Sequence, residues 1–156
     1  MFDIQMLPLE FIGEEGHRGL EGRITLGDYW ESFVSPLDFW TRADYEAQWQ
    51  QGVELALHSG RPSCLIVSIE RPSESELVRW WLLYPEGERV YVQEHLLILP
   101  DLSISFSLED PYSFIPDRKQ LGEEGAQVSE WEVSRTNLQD FLERFNRPRS
   151  SGQSTP

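Results

Sequence analysis

Gly22-Arg23-Ile24-Thr25-Leu26-Gly27-Asp28-Tyr29-Trp30-Glu31-Ser32-Phe33, continued by Trp40, Tyr45 and Gln48-Trp49, is the stretch whose reading decides the fold. Seven aromatic side chains fall between Tyr29 and Trp49, among them three of the chain's six tryptophans. Ile24 and Leu26 alternate with Arg23 and Thr25, the pattern of a half-buried strand. Gly27-Asp28 interrupts the alternation. A bulge of one residue there passes the inner face to Tyr29, Glu31 and Phe33; an unbroken strand passes it to Trp30 instead. Ser35-Pro36 ends the strand. Thr41 is a suitable helix N-cap, with Asp44 in the capping-box position. Tyr45, Trp49, Val53, Ala56 and Leu57 then recur at helical spacing, which predicts a helix over about 42–58 with one apolar face. Gly60 suits a left-handed C-terminal position, and Pro62 prevents continuation. Gly52 costs such a helix about 1 kcal/mol relative to alanine, and close packing against a sheet explains its presence.

Outward from this stretch the pattern is mainly strand. Phe2 to Phe11 is apolar but contains Pro8, which fits an edge strand because proline cannot donate to an interior ladder. Gly13 to Gly22 holds four glycines and reads as an exposed loop. Cys64 to Ile69, Leu77 to Tyr84 and Arg89 to Leu99 predict an antiparallel meander. Leu77–Tyr84, apolar on both faces except at Arg79, is its central member. Pro85-Glu86-Gly87-Glu88 reads as a four-residue hairpin loop. Tyr91, Gln93 and His95 take one face of the returning strand, and Val90, Val92 and Glu94 take the other. Leu102 to Leu108 alternates strictly and reads as a short edge strand or a loop. Val128–Val133 predicts a last strand. Ser134 then caps a short helix at about 135–146 with Leu138, Phe141, Leu142 and Phe145 as its stripe. The expectation is one α+β domain over 1–146, an antiparallel sheet or sandwich with one main and one short C-terminal helix. Residues 147–156 form a polar, disordered tail.

The chain has 156 residues, 27 acidic and 13 basic, for a net charge of −14 and a pI near 4.5. Lys119 is the one lysine among the basic residues. Such a chain repels nucleic acid and anionic membrane, whose recognition needs basic surface. It attracts basic partners and speeds encounter with them; the same acidity also serves solubility. One cysteine excludes an internal disulfide. The N-terminus lacks the basic and long apolar regions of a signal peptide, and no apolar run reaches a membrane span. The expectation is a cytoplasmic protein, monomeric when free.

Chemistry is sparse. His17, His58 and His95 lie on different elements without partners at zinc-ligand spacing. No phosphate-binding glycine loop and no G-x-S-x-G elbow occurs. Cys64 sits in an apolar run and reads as core packing rather than as a nucleophile. Glu130 and Glu132 share a strand face, as do Glu74 and Glu76 if extended. In so acidic a chain, pairs arise by chance, so a carboxylate-pair hydrolase has little behind it. Trp80 and Trp81 point to opposite faces of one strand. They read as buried between sheet and helices, or, for one of them, as an interface anchor. No catalytic residue, metal ligand or cofactor is assigned, and the protein is read as a non-enzyme.

Gly22-x-Ile24-x-x-Gly27-Asp28-Tyr29-x-Glu31-x-Phe33, then Leu37-x-x-Trp40 and Tyr45-x-x-Gln48-Trp49, resembles the CdiI-like immunity proteins of bacterial contact-dependent growth inhibition systems. The likeness continues through Trp80-Trp81, Val90–Gln93, Asp110-Pro111-Tyr112-x-Phe114-Ile115-Pro116 and Ser129-Glu130-Trp131-x-Val133, so it spans about 2–145. In this chain Gly22, Gly27, Asp28, Tyr29, Phe33, Trp40, Tyr45, Gln48 and Trp49 carry it as structural residues. The resemblance implies a cytoplasmic protein that binds and neutralises a toxin domain, often a nuclease and therefore basic. On that expectation the acidic loops Glu74/Glu76, Glu86/Glu88, Glu109/Asp110 and Glu123/Glu124 are the candidate toxin-binding residues, acting by occlusion. The alternative is an acidic regulatory or protein-interaction domain with no toxin partner.

Overall fold

The computed structural model describes residues 1–13, 16–71, 76–102, 104–118 and 129–147. Two antiparallel sheets form. Strands β1 (Phe2–Ile12), β2 (Arg18–Leu26) and β3 (Tyr29–Pro36) make sheet A in the order β1-β2-β3. After helix α1 (Arg42–Ser59), strands β4 (Ser63–Ser68), β5 (Leu77–Glu86), β6 (Arg89–Ile98) and β7 (Trp131–Ser134) make sheet B in the order β4-β5-β6-β7. Helix α2 (Arg135–Phe145) closes the described chain. This is the α+β arrangement of one main and one short helix on antiparallel strands.

The opening stretch is a hairpin. Leu26 pairs directly with Tyr29, so Gly27-Asp28 is a two-residue turn, neither a bulge nor part of a continuous strand. Gly27 adopts φ +67°, where a side chain is strained. A two-residue turn preserves the parity of the strands. Glu31 lies opposite Ile24, Phe33 lies opposite Gly22, and Tyr29, Glu31 and Phe33 share the inner face. Trp30 points outward, 55% exposed, with the Arg23 guanidinium 4.3 Å above its ring. Arg18 to Gly22, expected in a loop, belong to β2 and pair with β1; Gly22 lies against the Phe33 ring, where a Cβ would collide.

Other boundaries move for similar reasons. β1 is an edge strand, and its register shifts between Met6 and Glu10, around Pro8. Glu86 pairs with Arg89, which reduces the expected four-residue loop to Gly87-Glu88, with Gly87 at φ +62°. Leu102 and residues 104–108 are not strand; the alternation there loses to Pro100 and Pro111, which sit in two short 3-10 turns. The last strand starts at Trp131, and Val128 lies outside the described residues. So do 148–156 of the expected tail.

Both helices start with reciprocal capping boxes, Thr41 with Asp44 and Ser134 with Asn137. Gly60 takes φ +66° at the end of α1. The core holds Trp49, Trp80 and Trp81 almost entirely out of solvent. Burying both Trp80 and Trp81 removes the exposed-anchor alternative for either. Phe33 meets Trp49 edge-on and Phe2 meets Phe141 edge-on, which ties sheet A to both helices. Cys64 is fully buried, and burial pushes its thiol far up, as expected of an inert packing residue.

The Tyr45-x-x-Gln48-Trp49 motif does more than pack. β4 is the edge of sheet B, and α1 lies along it. Gln48 Oε1 accepts from the Ile66 N–H at 2.7 Å, and Nε2 donates to the Cys64 carbonyl at 2.9 Å. The Trp49 indole donates to the Ile66 carbonyl at 2.7 Å. The Tyr45 hydroxyl donates to the Pro36 carbonyl at 2.8 Å and accepts from the Ile69 N–H at 3.3 Å. Three helix side chains thus replace a neighbouring strand, so a buried sheet edge has partners for its backbone groups. Ser35 adds a bond from β3 to the Val67 carbonyl at 2.6 Å and fastens sheet A to the same strand.

Candidate interaction surface

The acidic residues proposed from sequence do not gather on one patch. Glu76 stands just before β5, and Glu86 and Glu88 stand at its other end. Ten residues of strand place them roughly 30 Å apart. Glu109 and Asp110 are exposed ahead of the second 3-10 turn, whose Tyr112 hydroxyl donates to Gln51 on α1 at 2.9 Å. Glu74, Glu123 and Glu124 lie outside the described residues.

One of these acids is already engaged. Arg118 donates to Glu86 at 2.7 Å and to both oxygens of Glu130, at 2.7 and 2.8 Å. Its guanidinium lies 3.8 Å above the Tyr91 ring. Gln93 donates to Glu130 at 2.8 Å, and His95 bonds to Gln93 at 2.8 Å. This network holds Arg118 and Glu130 on the Tyr91-Gln93-His95 face of sheet B. Glu132 lies 3.7 Å from Arg89. The Glu130/Glu132 pair is therefore committed to arginines and has no free pair of carboxylates for acid–base work.

Hydrogen bonds from Arg118 hold the Glu130 carboxyl below its ordinary value of 4.5, against a smaller opposing effect of burial. A depressed carboxyl adds stability that is complete above the ordinary pKa and is lost as pH falls through the depressed value. Glu130→Gln is therefore expected to flatten the acid side of the stability profile. Urea unfolding at a series of pH values below about 4.5 checks this; an unchanged slope contradicts it.

A second constellation was not visible in the sequence. Tyr29 stacks on Trp131 at 4.6 Å, and Trp131 leans on Trp81 at 5.6 Å. The Tyr29 hydroxyl donates to Glu31, a bond that, with burial, pushes the phenol up to about 12. Glu31, from sheet A, lies close enough to Glu94, from sheet B, to act on its carboxyl. Burial, then the charge and hydrogen bond of Glu31, raise the Glu94 carboxyl, while Arg79 at 4.0 Å opposes weakly. Alternation alone put Glu94 on the face of Val90 and Val92, but only the meeting of the sheets brings Glu31 to it.

Among the described residues no three His, Cys, Asp or Glu side chains gather as a metal site. No helix in that set is long and apolar enough to cross a membrane. A cleft of about 620 Å³ between β1 and the two helices is lined by Arg42, Arg144 and Arg147, with Glu46 paired to Arg42 and Asp3 to Arg144. Two of those arginines already serve the fold, since Arg144 donates to the Phe2 carbonyl at 2.8 Å and Arg42 donates to that of Met6 at 3.4 Å.

Comparison with known proteins agrees with the motif reading. Residues 35–141 match the family described as the CdiI N-terminal domain. The chain is 31% identical over 137 residues to a protein named immunity protein CdiI from Enterobacter cloacae subsp. cloacae, covering 88% of this chain and 94% of the relative. It is also similar to a solved chain from the CdiA-CT/CdiI toxin and immunity complex of Enterobacter cloacae. That match has a TM-score of 0.85 and 30% identity, and covers 94% of this chain and 99% of the other. By sequence and by fold, this chain belongs to the CdiI family.

Proposed function

We propose that this protein is an immunity protein that binds a cognate toxin domain in the cytoplasm and neutralises it by occluding its working surface. The observation that carries this reading is the near-complete match, in sequence and in fold, to a chain solved in a toxin and immunity complex. The net charge of −14 supports a basic toxin, as a nuclease is, and gives long-range attraction between the two. The free protein is read as a monomer that needs no cofactor. The exposed acids at Glu76, Glu88, Glu109 and Asp110, together with Glu74, Glu123 and Glu124, contribute to the field that steers encounter.

Protection tests the core of the reading. Cells that express the toxin domain encoded beside this gene survive when the protein is co-expressed and stop growing when it is not; growth arrest in both cases refutes it. Stopped-flow association tests the electrostatic part. Raising salt from about 50 to about 500 mM is expected to slow association by about tenfold or more. A flat salt response with intact protection refutes the basic-partner reading alone.

A further inference from the structure

The sheet edges are covered in two different ways. The β4 edge takes its partners from Tyr45, Gln48 and Trp49, side chains of α1 buried in the core. β1, an edge strand of eleven residues, takes its partners from two charged side chains at the surface. Arg42 comes from α1 and Arg144 from α2, and they are 38% and 39% exposed. Caps of the first kind cannot leave without opening the core. Caps of the second kind sit on flexible stems in water.

The Met1 carbonyl accepts from the Gly27 N–H on the β2 side at 2.7 Å. The Phe2 and Met6 carbonyls accept on the other side, from Arg144 at 2.8 Å and from Arg42 at 3.4 Å. Backbone groups alternate in direction along an antiparallel strand, so Phe2, Ile4 and Met6 turn theirs to the open edge while their side chains are buried. Past Met6 the register shifts around Pro8, which leaves residues 2–6 as the regular stretch to which a strand can be added. The two arginines stand at its two ends, roughly 13 Å apart along the strand. The cleft of about 620 Å³ is lined there by Asp3, Ile4, Gln5 and Met6. These residues alternate between the two faces of β1, so the strand meets the cleft edge-on.

We propose that Arg42 and Arg144 are gatekeepers, which keep the edge of residues 2–6 from pairing with the same edge of a second copy of this chain. A guanidinium on a carbonyl takes the acceptor that an incoming backbone N–H needs. The stretch is self-complementary: two copies running antiparallel about Ile4 set Phe2 of each opposite Met6 of the other. The charge of −14 on each copy opposes that dimer at a distance, but salt screens it. The caps act at contact, where screening does not reach. The inference does not depend on the immunity reading; it supplies a physical reason for the free monomer expected there.

Arg42→Met combined with Arg144→Met removes both donors and keeps the apolar stems. The double variant is two charges more negative than the parent, so charge alone drives its copies apart. In sedimentation at about 150 mM salt the parent is expected to be a monomer. The association constant of the double variant is expected to rise by about tenfold or more. The Met6 amide, on the open edge, is expected to gain protection from hydrogen exchange as protein concentration rises, in the double variant only. Arg42→Lys combined with Arg144→Lys restores a donor to each carbonyl and is expected to stay monomeric. Arg144→Met alone removes the shorter bond and carries the same prediction in smaller degree if the double variant does not fold. A folded methionine variant that stays monomeric overturns the proposal, and a lower melting temperature then assigns the arginines to the fold. Association without protection at Met6 places the contact elsewhere and also overturns it, as does equal association of the lysine variant or a parent that is itself dimeric. None of these measurements involves the toxin, so a failure of the immunity reading is seen separately.

Discussion

Replacing Gln48 by alanine is expected to lower the unfolding free energy by about 3–4 kcal/mol, with a urea midpoint shifted well down. The side chain is 8% exposed and serves two buried backbone groups of β4, the Ile66 N–H and the Cys64 carbonyl. Without it those groups are buried and unpaired, at about 1–3 kcal/mol for each unsatisfied group, and a cavity opens between helix and sheet. Gln48→Met nearly restores the volume but not the bonds. If Met recovers most of the stability, packing rather than edge pairing explains Gln48, and the proposed role is wrong. Loosening of α1 also uncovers a strand edge able to pair with another chain, so the alanine variant is expected to aggregate at lower denaturant than the parent.

Gly52→Ala is the second large effect, expected to cost about 2–3 kcal/mol net. Helix propensity alone favours alanine by about 1 kcal/mol. Opposing it, a Cβ at this position would overlap the Cys64 carbonyl oxygen and crowd a Leu65 methyl. Backbone oxygen in a strand cannot step aside as a flexible side-chain tip can, so helix and sheet must separate. The Ser63 hydroxyl, which donates to the Gly52 carbonyl at 2.6 Å, holds the same contact closed. Chemical denaturation with an unchanged m-value is the measurement. A variant as stable as the parent would show that the α1–β4 spacing is not fixed by this glycine.

Both effects concern a motif whose sequence spacing marks the family without stating its work. Tyr45, Gln48 and Trp49 fall on the inner face of a helix, and periodicity assigns them to packing. That is correct for their rings and incomplete for their polar atoms. A glutamine at a helical core position signals a buried amide, but its partners lie 16 and 18 residues away on β4, beyond any local pattern. Gly27-Asp28 shows the reverse situation. Its residue types suit a hairpin turn, and the inner face of Tyr29, Glu31 and Phe33 follows from either a bulge or a turn, so the face was legible although the connection was misread.

The acidic loops illustrate why candidate binding residues were harder to find than the fold. Charge is readable one residue at a time, whereas a surface depends on which residues share a face. Glu86 looked free in sequence but is held by Arg118, 32 residues on. Glu94 looked like one more strand acid, and only its neighbour from the other sheet sets it apart.

By itself the sequence determined the α+β class, the two capped helices, the meander and the net charge, because each depends on local periodicity, local capping or simple counting. The tertiary structure decided how the strands divide into two sheets, which helix side chains complete the β4 edge, and that Glu31 of one sheet acts on Glu94 of the other. Those contacts join residues far apart in the chain, and it is the packing of sheet on sheet and helix on sheet that brings them together.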